Sequence, residues 1–207
     1  LQLTSEGQEP TASAVGMMSR QVDHLVRLID DLLDVSRISR GKIELQCERL
    51  DLTGLVAQAV EAAKPLYAEQ RRQLQVALPA KPLYVDGDAT RLTQVVTNLL
   101  TNGARYTREA GAVWVTLEAG DNVARLRVRD NGIGLAPDQL QAIFELFVQV
   151  DNSLARSQGG LGLGLTLVKR LIDMHGGRVE ARSEGLGQGS EFIVTLPLPD
   201  ETKQTMD

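Results

Sequence analysis

Between Ala14 and Ser39 the residues Met18, Val22, Leu25, Ile29, Leu32 and Ser36 recur at alternating intervals of four and three. That spacing lays a seam along one side of a continuous helix. Leu28, Leu33, Val35 and Ile38 widen the apolar stripe beyond a two-stranded seam, so the pattern suits a four-helix bundle whose other helices lie outside this chain. Homodimerisation through 14–39 is the expected use. Thr4 to Ser13, with Gly7 and Pro10, reads as a polar loop entering the helix, and Gly41 as its stop.

Past Gly41 the helical period gives way to short strands and helices in alternation, which divides the chain into residues 1–40, a linker 41–50, a second unit 51–199 and a polar tail 200–207. The second unit is α+β. Helices are predicted over Leu52 to Gln70, capped by Asp51 or Thr53, over Ala89 to about Thr101, after Pro137, and over Gly162 to His175. Strands are predicted at Leu74 to Leu78, Leu83 to Val85, Val113 to Glu118, Val123 to Arg129, Arg178 to Ser183 and Glu191 to Leu196. The third and fourth of these are joined by a turn at Gly120, Asp121 and Asn122.

Composition narrows the function. Of 207 residues 43% are hydrophobic and 24% charged, enough for one good core. With 3% aromatics and a net charge of -5, neither a base-stacking surface nor a broad phosphate-binding face is expected, and nucleic acid is excluded as partner. No apolar run reaches the roughly 18 residues that span a bilayer. The single cysteine, Cys47, excludes an internal disulfide and reads as filling a strand position. His24 and His175 are too few for a zinc site. Because the chain opens on Leu1, it reads as a piece of a longer protein.

Four segments could meet around a nucleotide. In the first, Asn98 to Thr107, the asparagines Asn98 and Asn102 are four apart and share a helix face. An amide oxygen there can coordinate magnesium, which takes one or two oxygens from protein when phosphates supply the rest; surface or capping asparagines are the alternative. The second, Asp130-Asn131-Gly132-Ile133-Gly134, follows a strand and has two glycines that allow a close approach of backbone. Asp130 could accept a hydrogen bond from the adenine amine, whereas guanine would leave it unpaired at a cost of about 1 to 3 kcal/mol. The third, Gly159-Gly160-Leu161-Gly162-Leu163-Gly164, opens a helix whose free N–H groups could face a phosphate. It lacks the lysine and hydroxyl pair of a P-loop. In the fourth, Phe144 and Phe147 bracket the stretch before these glycines and could anchor a mobile lid or simply fill core.

Taken in order, these segments resemble the catalytic domain of sensor histidine kinases, within the superfamily that includes gyrase, heat-shock chaperone and mismatch-repair ATPases. The resemblance runs from Asp51 to Pro199, with Asn98 to Thr107 as the N box, Asp130 to Gly134 and Gly160 to Gly164 as glycine boxes, and Phe144 to Phe147 as the F box. Gln21 to Leu45 looks like the second dimerisation helix with its exit linker. The resemblance implies a two-layer sandwich, a mixed sheet packed against helices, preceded by a long bundle helix. It also implies ATP and Mg2+ as cofactors, with Asn102 on magnesium supported by Asn98, Arg105 facing the phosphates and Tyr106 on the adenine side. Asp130 would bind adenine, Gly132 and Gly134 would shape the floor, and Gly160, Leu161, Gly162, Leu163 and Gly164 would form the lid.

As partners the resemblance implies a phosphoacceptor histidine helix of the same parent protein and a response-regulator receiver domain, and as location the cytoplasm, whether or not the parent is membrane-anchored. Two departures bear on chemistry. Gly103 stands where the family often has alanine, costing about 0.5 to 1 kcal/mol in a helix interior. The acceptor string of histidine, acid, leucine, arginine and, two positions later, proline does not occur; His24 is followed by Leu25, Val26 and Arg27 and reads as a bundle histidine. No catalytic residue is therefore assigned within the chain. A hydrolysing ATPase is the rival, but those enzymes carry a glutamate where Asn98 stands, and an amide takes no proton from water at neutral pH. A nucleotide-binding module without catalysis is the remaining alternative.

Overall fold

The computed structural model describes residues 44–148 and 161–199, together with residues 14, 15, 18, 22, 25, 26, 29, 30 and 32–38 of the N-terminal segment. The body is a five-stranded mixed sheet with helices on one face. Its strands are β2 (Gln73–Ala77), β4 (Ala112–Gly120), β5 (Val123–Asp130), β7 (Glu191–Pro197) and β6 (Arg178–Arg182), in the order β2-β4-β5-β7-β6. Only the β2–β4 pair is parallel. β1 (Glu48–Asp51) and β3 (Tyr84–Gly87) form a separate antiparallel pair. The helices are α1 (Leu52–Glu69), α2 (Ala89–Tyr106), α3 (Gln139–Ala142) and α4 (Gly164–Met174).

Strand alternation decides which face is covered. Val115 lies opposite Val128 and Leu117 opposite Leu126, all buried in the core beneath the helices. The intervening residues turn outward: Arg129 stacks over the Trp114 ring at 5.9 Å, and Arg127 pairs with Glu118 at 3.2 Å. On the inner face α2 contributes Leu92, Val95, Val96, Leu99, Leu100 and Ala104, the three-and-four spacing of one helix side. Asp88 caps that helix, accepting from Arg91 N at 3.1 Å.

Several boundaries differ from those read in the sequence. α2 runs five residues past Thr101, because the weak helix former Gly103 is packed tightly between Tyr67 and Val113. α3 is a single turn, after which the chain continues through tight turns with Phe144 N bonded to Gln141 O and Glu145 N to Ala142 O. α4 begins at Gly164 rather than Gly162, whose φ of +71° is not helical. Thr53 does not cap α1; its hydroxyl accepts from Leu83 N at 3.0 Å, and Asp51 stands at the cap position without a side-chain bond. β1 arises within the stretch read as linker. Cys47 is exposed just ahead of it rather than filling a strand.

His175 closes α4, with Gly176 in the left-handed region after it. Its ring is buried: Nδ1 hydrogen-bonds Leu171 O at 2.7 Å and Nε2 accepts from Asp88 N at 3.0 Å. Asp88 also accepts from Gln46 N at 3.1 Å, so one residue joins the entering chain, α2 and the end of α4.

In the N-terminal segment every described residue between 14 and 38 is helical, and Val15, Met18, Val22, Leu25, Val26, Ile29, Leu32 and Leu33 are exposed. Val35, by contrast, is buried in the core of the body. His24, Gly41 and the tail 200–207 lie outside the described residues.

Candidate functional site

α2 and β5 end side by side because β4 returns antiparallel to β5 and pairs Val113 with Asp130. Two backbone bonds and one side chain tie the ends: Ile133 N to Tyr106 O at 3.1 Å, Asn131 N to Ala112 O at 3.3 Å, and Ala112 N to the Asn131 carboxamide oxygen at 2.9 Å. The N box and the first glycine box are thereby made neighbours. The backbone at Tyr106 therefore lies against the turn that follows Asp130.

Asp130 is only 4% exposed. Its Oδ1 accepts from Gly132 N at 2.7 Å and its Oδ2 from Ser190 Oγ at 2.5 Å. Burial pushes its carboxyl above its ordinary value, against the pull of the bonds from Ser190 and Gly132 and of the Arg129 charge. A carboxylate has about four acceptor positions, so two donors leave capacity for a further one.

The glycines are explained by backbone crowding. A Cβ on Gly132 would collide with the Tyr106 carbonyl oxygen, and one on Gly134, at φ +68°, with the Gly185 carbonyl oxygen. Ser190 and the preceding loop were not singled out from the sequence, although Gly185, Gly187 and Gly189 alternate there. All three have positive φ, and a Cβ on Gly189 would strike Asp130 O. The signal was thus present as a glycine run before the last strand. Its partner could not be read from it.

The other glycine box approaches from α4. A Cβ on Gly164 would sit 3.8 Å from the Asn98 carboxamide, an ordinary contact, so the helix start and the middle of α2 face each other with little between. Gly162 lies against the backbone of Phe147 and Val148, where a Cβ would come within 2.7 Å of Val148 O. Thr166 Oγ1 donates to Glu145 O at 2.9 Å and ties the first turn of α4 to the same segment. Leu163 is buried at 2% while Leu161 is exposed. The two phenylalanines separate: Phe144 packs on the core, whereas Phe147 is 62% exposed with φ +63°. Gly159 and Gly160 lie outside the described residues.

On α2, Asn98 and Asn102 are partly exposed, and the buried Asn98 side-chain nitrogen has no partner among the described residues. Arg105 lies in the last turn, partly exposed like Tyr106. Among the described residues no group of three or more His, Cys, Asp or Glu could hold a metal ion. Two residues not read from the sequence support α2 from behind: Tyr67 OH donates to Leu100 O at 2.7 Å, and the Arg72 guanidinium donates to Ala104 O.

The site is thus a buried carboxylate at the end of β5, tied to the C-terminal end of α2, in a mixed sheet covered on one face by helices. Residues 87–200 match the family described as Histidine kinase-, DNA gyrase B-, and HSP90-like ATPase, and the chain belongs to that family. Within it the chain is a domain of the sensor histidine kinase type, as its relatives show.

Sensor histidine kinase GacS of Pseudomonas protegens is 37% identical over 190 residues, covering 89% of this chain and 21% of that protein. The signal transduction histidine-protein kinase BaeS of Escherichia coli is 35% identical over 188 residues, covering 91% and 40%. This chain thus spans between about a fifth and two fifths of these relatives. Full-length ShkA, solved in complex with AMPPNP, superposes with a TM-score of 0.77 at 36% identity over 96% of this chain and 40% of that one. The mycobacterial sensor histidine kinase MprB gives 0.64 at 28% identity over 73% and 97%.

Proposed function

We propose that the chain binds ATP with magnesium and presents the γ-phosphate to a histidine on a helix outside it, in a parent protein that signals to a receiver domain. The observation that carries this reading is Asp130, a buried carboxylate held by Gly132 and Ser190 with acceptor capacity to spare, in a turn tied to the C-terminal end of α2. An acceptor fixed in a dry site selects adenine, whose amine donates there, over guanine. The complex of ShkA with AMPPNP is consistent with this.

For the cation, Asn98 and Asn102 each carry a carboxamide oxygen, and the Asn98 side-chain nitrogen, without a partner among the described residues, is a donor that suits a phosphate oxygen. Asn102 would ligate it, with Asn98 one turn away toward the start of α4, and Arg105 would face the phosphates. Bound magnesium would neutralise charge on the phosphate oxygens. Tyr106 would line the adenine side, Gly132 and Gly134 the floor, and Gly160 to Gly164 with Phe144 and Phe147 the lid. The transfer itself forms a bond from a histidine nitrogen to the γ-phosphorus and breaks its bond to the bridging oxygen of ADP. Positioning is most of what such a step asks of the protein.

Hydrolysis is disfavoured because Asn98 cannot take a proton from water. The exposed apolar stripe from Val15 to Leu33 supports a dimer through 14–39 in the parent. Among the described residues no helix is long and apolar enough to cross a membrane. The reading is tested with radiolabelled ATP. This chain alone should keep ATP largely intact, and adding a separate matching histidine helix should yield label on that helix. Rapid phosphate release without any acceptor would favour the ATPase instead.

A further inference from the structure

The turn of α2 that carries Asn102 is gripped from behind by residues with no place in the nucleotide site as described so far. Tyr67, in the last turn of α1, is 2% exposed and its hydroxyl donates to Leu100 O at 2.7 Å. Arg72, just beyond α1, donates to Ala104 O. That carbonyl is among the last four of the helix, which have no intrahelical donor. A third carbonyl, Tyr106 O, is held by Ile133 N at 3.1 Å. Leu100 and Ala104 stand on either side of Asn102 in the sequence, so both handles lie within one turn of it.

The hydroxyl of Tyr67 lies close against the backbone of Gly103, where any side chain would crowd it. A Cβ there would lie 3.0 Å from the Tyr67 oxygen, and 3.2 and 3.3 Å from the two Val113 methyls. Each of these distances is tighter than an ordinary side-chain contact. The alanine that the resemblance leads one to expect at 103 would press on the phenol from one side while Val113 blocked retreat on the other. Glycine at 103 and tyrosine at 67 are therefore two halves of one arrangement. Burial, with the negative charge of Asp130 adding to it, keeps the phenol protonated and able to donate.

We propose that Tyr67 is a positioning residue for magnesium-nucleotide binding: its hydroxyl, accommodated by Gly103, fixes the turn of α2 that aims Asn102. This rests on the reading of Asn102 as the magnesium ligand. Tyr67 itself touches neither nucleotide nor cation. Its effect is confined to the part of the affinity that depends on how Asn102 is presented.

The test is calorimetric titration of the full chain with ATP, with and without magnesium, so that the gain in affinity due to the cation is read separately. Tyr67→Phe keeps the ring and removes the handle; the magnesium-free affinity should change less than twofold and the magnesium gain should fall about fivefold or more. Gly103→Ala should lower the gain similarly by displacing the hydroxyl. In Tyr67→Phe/Gly103→Ala the methyl occupies the vacated space, so the loss should be no greater than in either single variant. An undiminished gain in Tyr67→Phe, or losses that simply multiply in the double variant, would overturn the proposal. Asn102→Ala is the separate control: if it leaves the magnesium gain intact, the assignment of Asn102 is wrong, whatever Tyr67 does.

Discussion

Asp34 Oδ2 receives Arg91 Nη1 at 2.8 Å and Gln94 Nε2 at 3.0 Å, so one carboxylate oxygen of the N-terminal helical segment is clasped by the first turns of α2. Both side chains of the ion pair are largely withdrawn from water, and the neighbouring Val35 is buried in the core. Arg91 lies eleven residues before Asn102, about 16 Å along the helix axis. The helical segment is thus tied to the end of α2 remote from the nucleotide site.

Among the described residues Asp34→Ala leaves the Arg91 guanidinium with the Gln94 oxygen, at 3.1 Å, and should loosen this contact without touching the site. The expected loss is about 1 to 3 kcal/mol, since a charge largely withdrawn from water is left short of a partner. Hydrogen exchange should rise over residues 32–38 while ATP affinity stays within twofold. Restored protection in Asp34→Arg/Arg91→Asp would show that charge, and not Val35 alone, makes the contact.

Asp130→Asn should weaken ATP binding about tenfold to a hundredfold, as a donor replaces an acceptor facing the adenine amine. Stability should respond in the opposite sense. Burial raises the Asp130 carboxyl, so its folded form binds the proton more tightly than the unfolded chain, and stability is lost as pH rises through the folded value. Thermal unfolding of Asp130→Asn at neutral pH should therefore occur no lower than that of the parent chain. The difference should shrink on acidification below the ordinary aspartate range.

Asp88 should behave as the mirror case. Burial works against its charge, but the N–H groups of Gln46, Arg91 and Thr90 outweigh it and hold the carboxyl below the ordinary value. Such a group stabilises the fold above the unfolded value, and the contribution is lost as pH falls through the folded one. Asp88→Asn should lower the unfolding temperature at pH 7, and the deficit should close below about pH 4.

Glycine substitutions should separate the two boxes. Gly132→Ala forces a methyl into the Tyr106 carbonyl and should destabilise the ligand-free chain. Gly164→Ala, at the first position of α4, meets only an ordinary contact with Asn98, so ligand-free stability should hold to within about 0.5 kcal/mol. Weaker ATP binding in the second variant would place a phosphate against that backbone. Unchanged binding would place it elsewhere.

Much of this protein was legible from its residues. Amphipathic periods located α1, α2, α4 and every strand of the five-stranded sheet, because a helix or strand buries a face whose spacing is local. The asparagines of α2 and the glycines after β5 were likewise visible, since four-residue spacing and a strand-to-turn junction involve neighbours in the chain. What could not be read were relationships set by distance through space. Ser190 meets Asp130 across 60 positions, Tyr67 meets Leu100 across 33, and Asp88 meets His175 across 87. β1 was also missed, because two exposed residues followed by a buried Leu50 and a half-buried Asp51 show no alternation until β3 supplies their partner. Gly103 looked like a weakness in a helix and becomes intelligible only beside the hydroxyl of Tyr67. Sequence by itself determined the long helices and the strands of the five-stranded sheet and which faces they bury, because those choices depend on neighbours along the chain. Only the tertiary structure decided which buried polar groups answer one another, because a hydrogen bond is fixed by the geometry of two ends that the chain alone does not bring together.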